Sequence, residues 1–253
     1  MAKKIKHSGL KYKSYSKQEN INNNLLHRYF KNSPINQEHI LDNIGLFFNS
    51  KFLSRILTLN EIYKMILETE GVILEFGVRW GQNLSVFTAL RAIYEPYNIK
   101  RRIIGFDTFQ GFTNLSKKDG RRMKKGDLSV PNNYYSYLSQ LLEHLEKFNP
   151  VAHVKKHELI KGDATKTIKD FLKKNPQTII SLAFFDFDIY KPTKVCLKAI
   201  LPHLIKGSVL VFDELNDKIS PGETIALKEV FKLHKVKLKR HKYSTRISYF
   251  VVE

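Results

Sequence analysis

One cysteine, one tryptophan and no uncharged apolar run approaching 18 residues set this 253-residue chain apart by what it leaves out. The lone thiol, Cys196, can form no internal disulfide and has no metal-ligand spacing around it, so it reads as a core residue on a helix. Without a long apolar run there is no candidate membrane span. The N-terminus, Met1-Ala2-Lys3-Lys4-Ile5-Lys6, lacks the apolar stretch that follows the charges of a secretory signal, and a cytoplasmic location is the expectation. Acids are also scarce: 24 Asp and Glu stand against 43 Lys and Arg, a formal net charge of +19. The bases gather at 3–17, 101–125 and 228–246 and not in one stripe, and Lys, Ile and Asn are abundant throughout. Part of the excess therefore reflects composition, and the rest predicts acidic partners such as phosphates or an anionic surface.

What is present is a core. With 42% apolar and 12% aromatic residues, the chain can build one large α/β domain with an extension. Residues 1–24 are polar and without hydrophobic periodicity, which predicts a flexible basic arm. Across 25–70, Leu41, Ile44, Phe47, Phe48, Phe52, Leu53, Ile56, Leu57, Ile62, Met65 and Ile66 recur at helical spacing, a helical N-terminal cover. From 71 to 253 strand-like and helix-like segments alternate. Strands are predicted at 72–76, 102–106, 157–161, 179–185 and 208–212, with helices after the glycine turn and at 134–148, 165–174, 192–204 and 223–234. Two closing strands, 236–241 and 247–252, form an antiparallel hairpin. The pattern predicts a mostly parallel sheet covered on both faces.

In such sheets ligands bind beyond the carboxyl ends of the strands. Here each end carries an acid: Glu75, Asp107, Asp163, Asp186 with Asp188, and Asp213-Glu214. Any one of them could cap a helix; five strand ends in succession point to one shared site. The first turn, "LEFGVRWGQN" (74–83), has Gly77 and Gly81 but not the third glycine of a dinucleotide fingerprint. Asp107, on the next strand, can accept both hydroxyls of a ribose. A cleft rich in acids suits the cationic sulfonium of S-adenosylmethionine better than the anionic NAD. None of the nine histidines has metal-ligand spacing; His153, His157, His234 and His241 read as surface residues.

Taken together, "LEFGVRWGQN", "IIGFDTFQGF" (103–112), "FFDFDIYKPT" (184–193) and "GSVLVFDEL" (207–215) resemble the macrocin O-methyltransferase family, whose members use S-adenosylmethionine to methylate sugar hydroxyls. The resemblance spans roughly 70–252. It implies a Rossmann-like class I methyltransferase fold, with a seven-stranded, mostly parallel sheet ending in the reversed hairpin. It implies cofactor contacts at Glu75, Gly77 and Gly81 around the methionine portion, at Asp107 on the ribose and at Asp163 near the adenine. It further implies Mg²⁺ or a similar divalent ion on Asp186, Asp213 and Glu214. A bound cation would favour the deprotonated form of a sugar hydroxyl.

Two positions depart from the family pattern or stay open. The usual Asp-Asp after the fifth strand is here Asp213-Glu214, so Glu214 binds the ion directly, through water or not at all. Asp188 reads either as a hydrogen-bond acceptor beside these acids or, with Asp186, as a catalytic base. Trp80 belongs to the ligand turn or to the core, and Glu223 caps its own helix or joins 221–230 in an acceptor wall. The basic insert 113–133 reads as a lid, and its charge suits a sugar, nucleotide-sugar or glycan acceptor; the reading leaves room for a homo-oligomer. A nucleic-acid methyltransferase and a catechol-like small-molecule O-methyltransferase remain as alternatives.

Overall fold

The computed structural model describes residues 16–244 and 246–253. Its N-terminal segment holds α1 (Lys17–Lys31), α2 (Gln37–Ile40), a 3-10 turn at Ile44–Phe47 and α3 (Ser50–Lys64). Residues 17–24 thus lie in a helix and not in the expected arm, and residues 1–15 lie outside the described residues. The helix starts where it does because Ser16 and Glu19 form a capping box: the Glu19 amide donates to Ser16 Oγ (3.1 Å) and the Ser16 amide to Glu19 Oε2 (2.6 Å).

The remainder alternates β1 (Val72–Phe76), α4 (Gln82–Tyr94), β2 (Ile103–Asp107), α5 (Tyr134–Glu146), β3 (His157–Lys161), α6 (Ala164–Lys174), β4 (Ile180–Phe185), α7 (Tyr190–Ile200), β5 (Leu204–Phe212) and α8 (Gly222–Val230), followed by β6 (Lys239–Arg240) and β7 (Ser248–Val251). The sheet order is β3-β2-β1-β4-β5-β7-β6. β1 to β5 are parallel, whereas β7 runs antiparallel to both β5 and β6. β6 is shorter than the predicted 236–241. Strand order reverses between β1 and β4, so the connections leave a crevice beyond their carboxyl ends. Among the described residues no helix is long and apolar enough to cross a membrane.

Alternation along each strand sends side chains to two cores. One packs Ile73, Ile103, Leu182, Phe184, Val209 and Val211 against Leu59 and Ile62 of α3, Leu84 and Phe87 of α4, and Leu138 of α5. The other packs the opposite face against α6, α7 and α8, and includes the buried Cys196. Across this second face Phe106, Phe76, Phe185 and Phe212 stack strand to strand, with ring centroids 5.2, 4.8 and 5.2 Å apart. The register pairs these same residues, Phe76 with Phe106 and Phe185, and Phe185 with Phe212. The next residue on each strand is therefore also in line: Asp107, Gly77, Asp186 and Asp213.

Basic residues contribute to the interior. Arg101, nearly inaccessible, donates to the carbonyls of Ile66, Thr69 and Gly71, to Ser181 Oγ and to both carboxylate oxygens of Glu95. It ties the end of the helical cover to the starts of β1 and β4. His157 and His241, expected at the surface, are buried, His157 beside Glu146 and His241 against Tyr243 and Tyr249. The insert 113–133 is anchored at several points. Asp119 Oδ1 accepts from the Tyr190 amide (2.6 Å), Met123 and Phe112 pack on Ile189, and a Cβ on Gly120 would fall 1.7 Å from the Ile219 carbonyl oxygen.

Removing the Arg101 guanidinium takes a donor from each of three carbonyls and leaves the Glu95 carboxylate without its counter-charge. We expect Arg101→Ala to lose about 3–5 kcal/mol of stability. Arg102→Ala, which breaks only the half-exposed pair with Glu158, should cost under ~1 kcal/mol. Urea unfolding midpoints of the two variants check the contrast.

Candidate active site

At the reversal point the carboxyl ends of the strands open into a cleft of about 1400 Å³. Glu75, Gly77, Asp107, Asp163, Asp186, Asp188, Asp213 and Glu214 line it, together with Arg55, Arg79, Asn83, Lys191 and Arg246. Gly81 does not. It caps α4 with φ 78°, and a Cβ there would press on Leu138 of α5 at 2.6 Å, so its glycine serves packing behind the turn. Gly77 does face the cleft: φ is 97°, and a Cβ would stand 2.1 Å from the Asp186 carbonyl oxygen. The acid row has room at β1 only for a residue without a side chain.

Asp107 braces the glycine turn. Its two carboxylate oxygens accept from the amides of Arg79 (2.8 Å) and Phe109 (2.6 Å), both of which have positive φ. Burial pushes its pKa up while these N–H groups hold it down. Asp163 lines the cleft and also caps α6, accepting from the Thr165 amide and hydroxyl. Glu75 is buried. Its Oε1 accepts from Asn83 (2.9 Å), its Oε2 has no partner, and burial with the nearby Asp186 charge raises its pKa well above the ordinary range.

The remaining acids crowd together. Asp186, with a side chain 27% exposed, has its pKa raised to about 7 by burial and by the charge of Asp213. Asp188 sits at φ 61°, buried, and is pushed well above the ordinary carboxylate range by burial, Asp186 and Glu223. Two guanidiniums answer this charge, and neither was foreseen in the sequence. Arg55, from α3, reaches Asp213, Asp186 (3.4 Å) and Asn83 and lies over the Phe184 ring. Arg246 bridges Asp213 (3.2 Å) and Glu214. Among the described residues no three metal-ligating side chains stand together as a ready cage. Glu223 was read as a cap of its own helix or as part of an acceptor wall; its carboxylate reaches the amides of Phe187, Asp188 and Glu214.

Trp80 is partly exposed at the turn and meets Tyr134 edge to face at 4.9 Å. Lys191 lines the cleft, whereas the Tyr190 hydroxyl turns to the surface pair of Glu229 and Lys194.

A sequence-family profile described as a methyltransferase domain matches residues 74–215. No curated relative matches the chain. Among solved structures, the calicheamicin methyltransferase CalS11 is 39% identical, with a TM-score of 0.91, covering 94% of this chain and 93% of its own. An apo structure of CalS11, described as a TDP-rhamnose 3'-O-methyltransferase, is 38% identical at a TM-score of 0.84, covering 94% and 95%. The chain belongs to the S-adenosylmethionine-dependent methyltransferases. The O-methyltransferase NovP, 13% identical at a TM-score of 0.59 over 78% of this chain and 79% of its own, shares the fold. The methyltransferase fold, the methyl donor and the O-methyltransferase resemblance expected from the sequence all hold.

The raised pKa of Asp186 has a consequence for this methyltransferase's stability. An acid whose folded pKa lies above its unfolded value costs stability when ionised, so the cost is present above pH 7 and fades as pH falls toward the unfolded value near 4. We expect Asp186→Asn to be more stable than wild type at pH 8, by about 1 kcal/mol or roughly 2–4 °C. In thermal melts the gap should narrow to roughly half by pH 5.5 and close near pH 4.

Proposed function

We propose that this enzyme methylates a hydroxyl of a nucleotide-linked deoxysugar, with TDP-rhamnose as the acceptor to try first. The observation that carries this reading is the end-to-end similarity, 39% over 94% of the chain, to CalS11. Lys51 and Lys191 on the cleft wall, with the basic insert beyond, favour an anionic acceptor.

In this reading Asp107 holds the cofactor ribose, and Glu75 receives the methionine portion at its unpartnered Oε2, with Gly77 allowing the close approach. Gly81 keeps the turn in place from behind, and Asp163 stands on the adenine side. Methyl transfer forms a C–O bond at the sugar and breaks the C–S bond, whose electron pair neutralises the sulfonium. The hydroxyl proton passes to Asp188 or, where no ion holds it, to Asp186 beside it. Alignment of oxygen, methyl and sulfur supplies much of the acceleration.

Asp186 and Asp213 fit a hard divalent ion in donor type and charge, because the repulsion between them is what a cation relieves. Glu214 fits through its carboxylate but has Arg246 on it. Mg²⁺ held by Asp186 and Asp213, with Glu214 assisting, would acidify a hydroxyl that touches it.

Calorimetry on Asp107→Ala should show S-adenosylmethionine affinity reduced by about 1.5–3 kcal/mol, and unchanged affinity would place the ribose elsewhere. Mass spectrometry of TDP-rhamnose incubated with enzyme and cofactor should show one added methyl group, and excess EDTA should remove most of that turnover. No product with TDP-rhamnose counts against the acceptor; full turnover in EDTA counts against the ion alone.

A further inference from the structure

Glu223 is fully buried in the first turn of α8, where an acid ordinarily serves the N–H groups of its own helix. Its carboxylate does something else. Oε1 accepts from the amides of Phe187 (3.0 Å) and Asp188 (3.3 Å) in the loop after β4, while Oε2 accepts from the amide of Glu214 (3.3 Å) in the loop after β5. These loops carry the acids that the chemistry needs at one spacing.

We propose that Glu223 is a positioning residue for methyl transfer: one carboxylate joins the two strand-end loops and fixes Asp186 and Asp188 relative to Asp213 and Glu214. Three further observations bear on it. The Asp188 amide that it holds belongs to a residue at φ 61°, a conformation that costs a non-glycine residue energy and persists only when its surroundings impose it. The adjoining Gly222 lets α8 start hard against the same loop, since a Cβ there would lie 2.5 Å from both the Tyr190 amide nitrogen and Asp119 Oδ1. Asp119 in turn accepts from the Tyr190 amide, so the basic insert is fastened to the loop that Glu223 holds.

A carboxylate can accept on both oxygens; an amide of the same shape can accept on one. Glu223→Gln therefore keeps the packing and breaks one side of the link, turning an NH₂ group toward an N–H. Thr224 provides the matching control, because its hydroxyl accepts from the Asn216 amide (2.8 Å) beside the β5 loop.

The test measures kcat, KM and cofactor affinity for both variants with TDP-rhamnose, together with amide exchange at residues 187, 188 and 214. For Glu223→Gln we expect kcat to fall about 10- to 100-fold, as misplacement of reacting groups by an ångström does. S-adenosylmethionine affinity should stay within about twofold, Thr224→Ala should stay near wild type, and protection at the three amides should be lost on the side that Gln no longer accepts. Equal losses in both variants, cofactor affinity falling in step with kcat, or exchange unchanged by the substitution would each overturn the role. The kinetic arm rests on the acceptor reading. If wild type leaves TDP-rhamnose unmethylated, that reading falls and exchange decides Glu223. If Glu223→Gln does not fold, rapid exchange of these amides in wild type overturns the proposal and slow exchange upholds it.

Discussion

Like charges repel, and this sheet places carboxylate beside carboxylate along one edge. Glu75, Asp107, Asp186, Asp188, Asp213, Glu214 and Glu223 all meet around the crevice between β1 and β4, and much of the neighbouring structure answers that concentration of charge. Backbone N–H groups answer Asp107 and Glu223, Asn83 answers Glu75, and Arg55 and Arg246 answer Asp213 and its neighbours. The helical N-terminal segment is part of the site for this reason. Its α3 delivers Arg55 between the β4 and β5 acids, which packing alone would not require.

The same accounting changes the meaning of the positive charge. Arg91, Arg101 and Lys156 are buried, paired with Glu146, Glu95 and backbone carbonyls, and hold elements together. Arg55 and Arg246 face acids inside the cleft. These five cations lie inside the fold or the cleft and add nothing to a face for a phosphate backbone. Arg121, Arg122 and Lys218 border the insert and the loop before α8, while Lys166, Lys169, Lys173 and Lys174 are exposed along α6.

Strand ends were legible because a buried run such as Ile180–Phe185 stops at an acid, and the acid has no apolar reason to be there. The glycine turn was legible through its spacing, though not the division of labour by which Gly77 faces the cleft and Gly81 faces Leu138. Arg55 was not legible. It sits among apolar helix residues, and only the tertiary position of α3 gives it partners 131 and 158 residues away. β6 was overestimated because an exposed two-residue edge strand, Lys239–Arg240, owes its existence to pairing with β7 and not to a pattern of its own. The helix over 17–24 did have a signal, the Ser16-to-Glu19 capping spacing, but no apolar stripe accompanied it, and α1 has no buried residue.

The phenylalanine stack beneath the acid row divides labour in the chain. Phe106, Phe76, Phe185 and Phe212 fix the register on one face, and the residue after each of them lines the cleft at the edge. Stability and reactivity are thus written in alternate letters of the same strands. A lineage could exchange an acid at one strand end while the rings below keep the other ends in line. New acceptors can then be tried one side chain at a time on an unchanged frame.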